Sequence, residues 1–528
     1  MEAKNKQNTY NTLFHFNGFR LKLVFEGIAI GILTGLLVVL YRYTLEKAGI
    51  FVNHVYKILS INPILILPWI GILILIGYIV GLMVKHQPMI SGSGIPQVEG
   101  VLLRKLNMSW WRVIIGKFFG GVLTIGSGLS LGREGPSVQL GAAVGQGFSK
   151  VFKRIKIEEK YLMTSGASAG LAAAFNAPLA GALFALEEVH KNFSPLIFLS
   201  ALSAALSADF VTSAFLGLKP IFIVKNLDIL PLKYYFYIIV LGVIIGVLGV
   251  LFNNILLKTQ DLYAAQAWIP KEMTIVVPLL ISVILGLLLP QVLGGGNELI
   301  NSLFIGNPSL TILLIIVVVK FLFTMLSYGS GAPGGIFLPL LAIGALIGNI
   351  YGITLVHFLN FNSIYINNFI ILAMAGYFTA VVRAPITGII LLTEMTGSFS
   401  QLLSLSVVSI VAYIVADILA SKPIYESLLE KFLHNQGEKL SLGNKKDKAI
   451  LEFAVCMGSN LDGKQIREIK WPSHCLLVAV KRGEHEIIPK GDTVIFAGDY
   501  LIVLTNEDRV SKINDVLNVM TASCEISK

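Results

Sequence analysis

Charge is scarce in this chain. Lys, Arg, Asp and Glu make up 14% of its 528 residues, 55% are hydrophobic, and mean hydropathy is +0.76. A typical soluble domain carries about 25% charged residues, so a soluble enzyme is excluded. Cysteine is scarcer still. The three present, Cys456, Cys475 and Cys524, all lie beyond residue 450 and none forms a CxxC pair, which leaves free structural thiols of a reducing compartment. The stretch Met1–Arg20 has no apolar core followed by a cleavage site, so a signal peptide is not expected. A TVGYG-like loop is also missing, and with it a potassium filter.

Glycine is plentiful, 50 residues, and its placement repeats. Gly126-Ser127-Gly128, Gly132, Pro136, Gly141 and Gly145 return 203 positions later as Gly329-Ser330-Gly331, Gly335, Pro339, Gly344 and Gly348; Gly135 alone lands on a different residue, Leu338. Ala177-Pro178, Gly181 and Glu187 return at an offset of 207 as Ala384-Pro385, Gly388 and Glu394. The chain is an internal duplication, with halves at about 20–215 and 232–434. Apolar runs such as Phe25–Leu40, Ile64–Val84, Phe236–Leu257 and Val276–Leu289 are long enough, or nearly so, to span a bilayer. Segments around 90–100, 126–147, 170–190, 329–350 and 376–397 are cut by Gly or Pro. Irregular backbone survives at membrane depth only inside protein or along a polar cavity. The broken segments are therefore expected inside and the full-length runs outside, as in transporters whose two halves face one ion site.

A net charge of +10 is read as basic cytoplasmic loops rather than a nucleic-acid surface. Lys4, Lys6, Arg20 and Lys22 place the N-terminus inside, and Lys150, Lys153, Arg154, Lys156 and Lys160 mark another cytoplasmic loop. After about Phe432 the pattern changes. A polar linker at 435–444 leads to residues 445–528, where Ala449–Val455, Cys475–Lys481, Thr493–Ala497 and Tyr500–Thr505 read as strands. Lys464–Ile469 reads as a short helix and Glu507–Leu517 as a closing one capped by Asn506. The expected whole is a polytopic all-α membrane protein, residues 1–434, with a small cytoplasmic α+β domain.

The sharpest motif is Gly132-Arg133-Glu134-Gly135-Pro136. A charged pair within apolar sequence is costly and marks a functional position. Pro136 suits a first helical turn, whose free N–H groups and dipole attract an anion. Gly334-Gly335-Ile336-Phe337-Leu338-Pro339 offers the same start without charge, and Ser91-Gly92-Ser93-Gly94-Ile95-Pro96 adds a hydroxyl. Three helix starts converging make an anion site. An anion beside Glu134 must displace its carboxylate or cause it to take up a proton, which couples the two ions. Exchange then needs a second carrier, for which Glu188 is placed; Glu187 and Glu394, equivalent in the two copies, read as structural. The competing readings are a paired ion with Arg133 for Glu134, a cytoplasmic helix end for Glu188, a cap for Ser93 and an interfacial anchor for Tyr425. Gly128-Leu129-Ser130-Leu131-Gly132 matches a nucleophile elbow, but its apolar, duplicated flanks exclude a hydrolase.

On GSGIP at 92–96, GREGP at 132–136, GGIFLP at 334–339 and Pro423-Ile424-Tyr425, the chain resembles the CLC family of chloride channels and chloride/proton exchangers over about residues 20–434. The resemblance implies inverted repeats with broken helices, a homodimer with one pore per subunit, and a multi-pass plasma-membrane protein with both termini cytoplasmic. It implies chloride ligands in Ser93, Tyr425 and the amides of Ile336 and Phe337, a gating glutamate in Glu134 and an inner proton glutamate in Glu188. Gln97 departs from the Glu that often follows GSGIP. The expected activity is chloride/proton antiport, with a passive chloride channel, a fluoride exporter and a potassium-transport component as the alternatives, and no enzymatic activity, cofactor or metal. The tail, from Val455 and Gly458-Ser459 to Gly498-Asp499, is similar to the C-terminal domain of RCK/TrkA potassium-channel regulators. That implies pairing and a small anionic nucleotide such as cyclic di-AMP, with Lys464, Lys481, Arg482 and Lys490 as the available cations.

Overall fold

The computed structural model describes residues 2–191, 193–218, 220–222, 224, 227–306, 308–435, 448–482, 485–506 and 509–521, giving the backbone only for 2–20, 156–157, 435, 448–449, 485 and 510–511. The side chains of Lys4, Lys6, Arg20 and Lys156, the linker beyond Asn435, and Cys524 lie outside the described residues. The chain divides into two compact units, Met1–Phe432 and Leu433–Lys528.

The first unit is helical. Its first copy comprises α1 (Glu2–Ile61), α2 (Ile66–His86), α3 (Ile95–Leu102), α4 (Trp110–Gly126), α5 (Glu134–Val151), α6 (Lys156–Phe175), α7 (Pro178–Phe184) and α8 (Pro195–Leu216), with a π-helical segment, Ala185–His190, continuing α7. The second comprises α9 (Tyr235–Ala265), α10 (Val276–Leu288), α11 (Asn297–Ile305), α12 (Leu310–Gly329), α13 (Phe337–Leu359), α14 (Ile366–Val382), α15 (Pro385–Thr396) and α16 (Leu402–Ile418). Helix α17 (Ile424–Asn435) follows both. Among the described residues nine helices are long and apolar enough to cross a membrane. The runs through α2 and α9 are only 28% and 39% buried, whereas those through α13 and α14 are 67% and 78% buried. Shell and interior thus separate as expected, except that α13 and α14, whose sequence is rich in Gly and Ala, are interior yet long enough to span.

The paired glycines explain how the interior closes. A methyl group at Gly141 of α5 would overlap the Gly166 carbonyl of α6, and one at Gly166 would overlap the Gly141 carbonyl. The two backbones touch directly, the packing that small residues permit in a membrane helix pair.

In the second unit β1 (Lys448–Ala454), β2 (Cys475–Arg482), β3 (His485–Ile487) and β4 (Tyr500–Asn506) form an antiparallel sheet in the order β1-β4-β2-β3. Helix α18 (Val510–Thr521) buries Ile513 and Leu517 with Phe453, Val480, Leu501 and Val503. Three readings of this tail change. Thr493–Ala497 is not a strand: Val494 makes one isolated bridge to Gln465, and Arg482 and Asp499 occupy the carbonyl of Val494 and the N–H of Phe496. The helix at Lys464–Ile469 shrinks to one 3-10 turn, Ile466–Glu468, closed by a capping box with Gln465. Strand β3 escaped the pattern because three residues are too few to show alternation. The closing helix is described over Val510–Thr521, and its expected start at Glu507 lies outside the described residues.

Candidate functional site

Non-helical segments meet at the centre of the membrane unit. Gly132 and Gly335, equivalent in the two copies, form an antiparallel bridge in which each N–H donates to the other's carbonyl, at 2.6 and 2.7 Å. The copies are therefore related by a local two-fold axis and run in opposite directions where they meet. Beyond the bridge α5 starts at Glu134 and α13 at Phe337, with Pro136 and Pro339 in their first turns.

The two-fold relation separates scaffold from chemistry. Lys117 and Lys320, also 203 apart and fully buried, play matching parts. Lys117 Nζ donates to the carbonyls of Ile90 and Gly92 at 2.9 and 2.6 Å, and Lys320 Nζ to those of Val292 and Gly294 at 2.9 and 2.7 Å. Glu187 accepts from the N–H groups of Ile386 and Thr387 at 3.2 and 2.8 Å, capping α15. Glu394 accepts from Leu179 and Ala180 at 3.1 and 2.8 Å, capping α7. Each copy's glutamate closes the other copy's helix, as their structural reading required. By contrast, in the α3 region, where the offset is 202 as for Gly92 and Gly294, Ser93 falls on Gly295, while Glu134 falls on Phe337 and Glu188 on Met395. Ser93, Glu134 and Glu188 come from the first copy and have no polar equivalent in the second, so the duplicated frame builds one site rather than two.

Ser93 lies between Gly92 and Gly94 just before α3. The loop is fixed by Lys117, by the Gly334 N–H on the Gly92 carbonyl at 2.9 Å, and by Gln97 Nε2 on the Ser91 carbonyl at 2.9 Å. Gln97 thus shapes the loop. A Cβ at Gly135 would strike Ser93 Oγ, so glycine there lets α5 begin against the hydroxyl. Ser93 Oγ, Tyr425 Oη and both oxygens of Glu134 are buried without a hydrogen-bond partner among the described residues. The Tyr425 hydroxyl has Ser93, Tyr328, Glu188 and Glu134 as electrostatic neighbours. The Glu134 carboxylate lies by its own N–H and that of Leu338, in the second copy's first turn, without a well-formed bond to either. Arg133 Nε is 4.0 Å from Glu134 Oε1, too long to satisfy the carboxylate. Ile336 and Phe337 are buried where α13 begins, and the Phe337 ring packs on Phe175 and Phe378 with centroids 5.0 and 4.6 Å away. The Ser93 and Tyr425 hydroxyls each have a proton to give and suit an occupant that accepts hydrogen bonds, whereas the Glu134 oxygens can only accept while ionised and lack a donor.

Glu188 sits in the π segment, 4% exposed, with Oε1 unpartnered. π turns recur at functional positions; this one points Glu187 to α15 and leaves Glu188 facing inward. Two residues of the centre escaped sequence reasoning. Lys117 had a signal, since its twin Lys320 obeys the same offset as the glycines. Tyr328 had none: Ile125 holds its place in the first copy, yet the Ser93 N–H addresses its hydroxyl. Ser130 bonds Thr324 at 2.8 Å and belongs to the scaffold. In the tail Arg482 is committed: it forms two bonds with Asp499, at 2.8 and 2.7 Å, and covers the Phe496 ring. Burial pushes Asp499 up, but the Arg482 contacts and the Phe496 N–H hold it below the usual carboxylate range.

Residues 76–417 match the family described as voltage gated chloride channel, and residues 450–518 the TrkA-C domain. The H(+)/Cl(-) exchange transporter ClcA of Vibrio campbellii is 40% identical over 372 residues, covering 69% of this chain and 79% of that protein. The crystal structure of a slow cyanobacterial Cl-/H+ antiporter superposes with a TM-score of 0.75 at 32% identity, over 79% of this chain and 99% of that one. A CLC-type fluoride/proton antiporter gives 0.64 at 27% identity, over 77% and 97%. With its two-fold frame, its buried helix starts and these matches, the chain belongs to the voltage-gated chloride channel family, a family of membrane transporters, and carries a TrkA-C domain behind its membrane unit.

Proposed function

We propose that this protein exchanges chloride for protons across the plasma membrane. The observation that carries the reading is the Glu134 carboxylate, fully buried and unpaired beside the first turns of α5 and α13. It stands where the helix N-termini favour an anion. Chloride takes the neighbouring place, held by the amide N–H groups of Ile336 and Phe337 and the hydroxyls of Ser93 and Tyr425. Two unit negative charges about 4 Å apart repel by roughly 4 kcal/mol at an effective dielectric near 20. Chloride arrival therefore either displaces the Glu134 side chain or drives its protonation. Glu188, buried in the π segment, carries the proton between Glu134 and the inner solution, and exchange results because both ions depend on Glu134.

Basic loops at Lys22 and Lys150–Lys160 support an arrangement with both termini cytoplasmic. The CLC resemblance supports a homodimer. The TrkA-C match and the exposed Lys464, Lys481 and Lys490 support a small anionic nucleotide, with cyclic di-AMP first, as ligand of residues 445–528. Calorimetry with cyclic di-AMP and ATP tests that ligand.

The deciding experiment for transport is reversal potential in reconstituted bilayers under a chloride gradient and then a pH gradient. Exchange places it between the chloride and proton equilibrium values and makes it move with pH. A potential pinned to chloride and blind to pH would make the protein a passive channel.

A further inference from the structure

The carboxylate that serves the inner side has an unusual neighbour. Lys191 follows the π segment with φ +53, a left-handed conformation that lysine rarely adopts. That turn carries its ammonium group to Glu99 of α3, 2.7 Å away, and to Glu426 of α17, 3.9 Å away. Lys191 thus links the helix that follows Ser93, the segment that holds Glu188 and the helix that holds Tyr425. Glu99 keeps one oxygen, Oε2, buried and unpartnered, as Glu188 keeps Oε1.

The charges around Glu188 are unequal. Lys191 is the nearest acting cation among the described residues, against Glu99, Glu187 and Glu426. The Tyr425 hydroxyl is a further neighbour, and Lys105 reaches Glu99. His190 turns away, to Thr164 Oγ1 of α6 at 2.8 Å, with Tyr161 and Lys160 beside it. The second copy has no counterpart: Glu99 falls on Asn301 and Lys191 on Ser398. By the separation of scaffold from chemistry found above, this cluster belongs with the working residues.

We propose that Lys191 is a positioning residue for the inner proton step: held between Glu99 and Glu426, it sets the pH at which Glu188 exchanges its proton with the inner solution. The proposal rests on the exchange reading. An ammonium close to a carboxylate favours the charged form, and a neighbouring carboxylate disfavours it. Lys191→Met leaves Glu188 among carboxylates, so it keeps its proton to higher pH. Glu99→Gln removes a negative neighbour and acts the other way. Lys191→Arg keeps the charge and restores the parent behaviour.

The test is the internal-pH profile of coupled transport in proteoliposomes, for the full-length parent and these three variants. The Lys191→Met midpoint is expected to rise by on the order of one pH unit, the low end for loss of a nearby opposite charge. The Glu99→Gln midpoint is expected to fall, and that of Lys191→Arg to stay. Damage to folding alone lowers rates without moving midpoints in opposite directions. Unmoved midpoints, or shifts of one sign in Lys191→Met and Glu99→Gln, overturn the proposal. If the parent itself moves no protons, the exchange reading fails instead, and the two failures are told apart.

Discussion

Two adjacent glutamates are expected to fail in opposite ways. Glu187 accepts from two N–H groups of α15 and from the Thr387 hydroxyl at 2.7 Å. Glu188 has an unpartnered buried oxygen. Replacing Glu187 with Ala removes a charged cap and leaves the donors of a helix start without an acceptor. Caps are worth about 0.5–2 kcal/mol and hydrogen bonds to charged groups about 1.5–3, so the loss should be roughly 2–4 kcal/mol. Glu188→Gln keeps the shape of the side chain and breaks no protein hydrogen bond at Oε1, so it should cost clearly less stability than Glu187→Ala. The assay pairs thermal inactivation in detergent with proton and chloride flux from liposomes. Glu187→Ala should inactivate at a lower temperature while its folded fraction keeps the parent ratio of chloride to protons. Glu188→Gln should inactivate closer to the parent temperature, conduct chloride and lose proton flux. Stable Glu187→Ala that no longer moves protons, or Glu188→Gln that is badly destabilised, would refute the division between cap and carrier.

Three further outcomes are expected. Glu134→Gln removes the titrating group, so anion flux should persist while a chloride gradient no longer drives protons; proton uptake in liposomes checks this, and retained pumping counts against Glu134. Tyr328→Phe removes a hydroxyl beside Ser93 and should weaken chloride binding about three- to ten-fold, the worth of one modest hydrogen bond, with the coupling ratio kept; unchanged affinity by calorimetry would place that hydroxyl outside the anion's reach. In the second unit Asp499 is held below its ordinary value of about 3.9. Its pair with Arg482 should therefore contribute fully above that pH and be lost as pH falls through the folded value. Circular dichroism of the full chain should show Asp499→Asn removing part of the acid-side loss of sheet signal.

The membrane frame was legible in the sequence because duplication leaves a countable trace. Glycines at one offset, prolines at helix starts and a Glu at each copy's helix end are local requirements of backbone geometry, and each copy had to meet them. Gly132, Glu134 and Ser93 stood out for the same reason, since polar or glycine-broken sequence within apolar runs is costly. Tertiary structure decided what spacing does not encode. It brought Glu187 to α15 and Glu394 to α7, across about 200 residues of chain. It set Tyr328 beside Ser93 and folded Lys191 back onto Glu99. It took Arg482 out of the available cations by pairing it with Asp499. Sequence periodicity reports the face a residue shows to its own helix or strand. Which distant atom meets that face depends on how the two copies close around their axis.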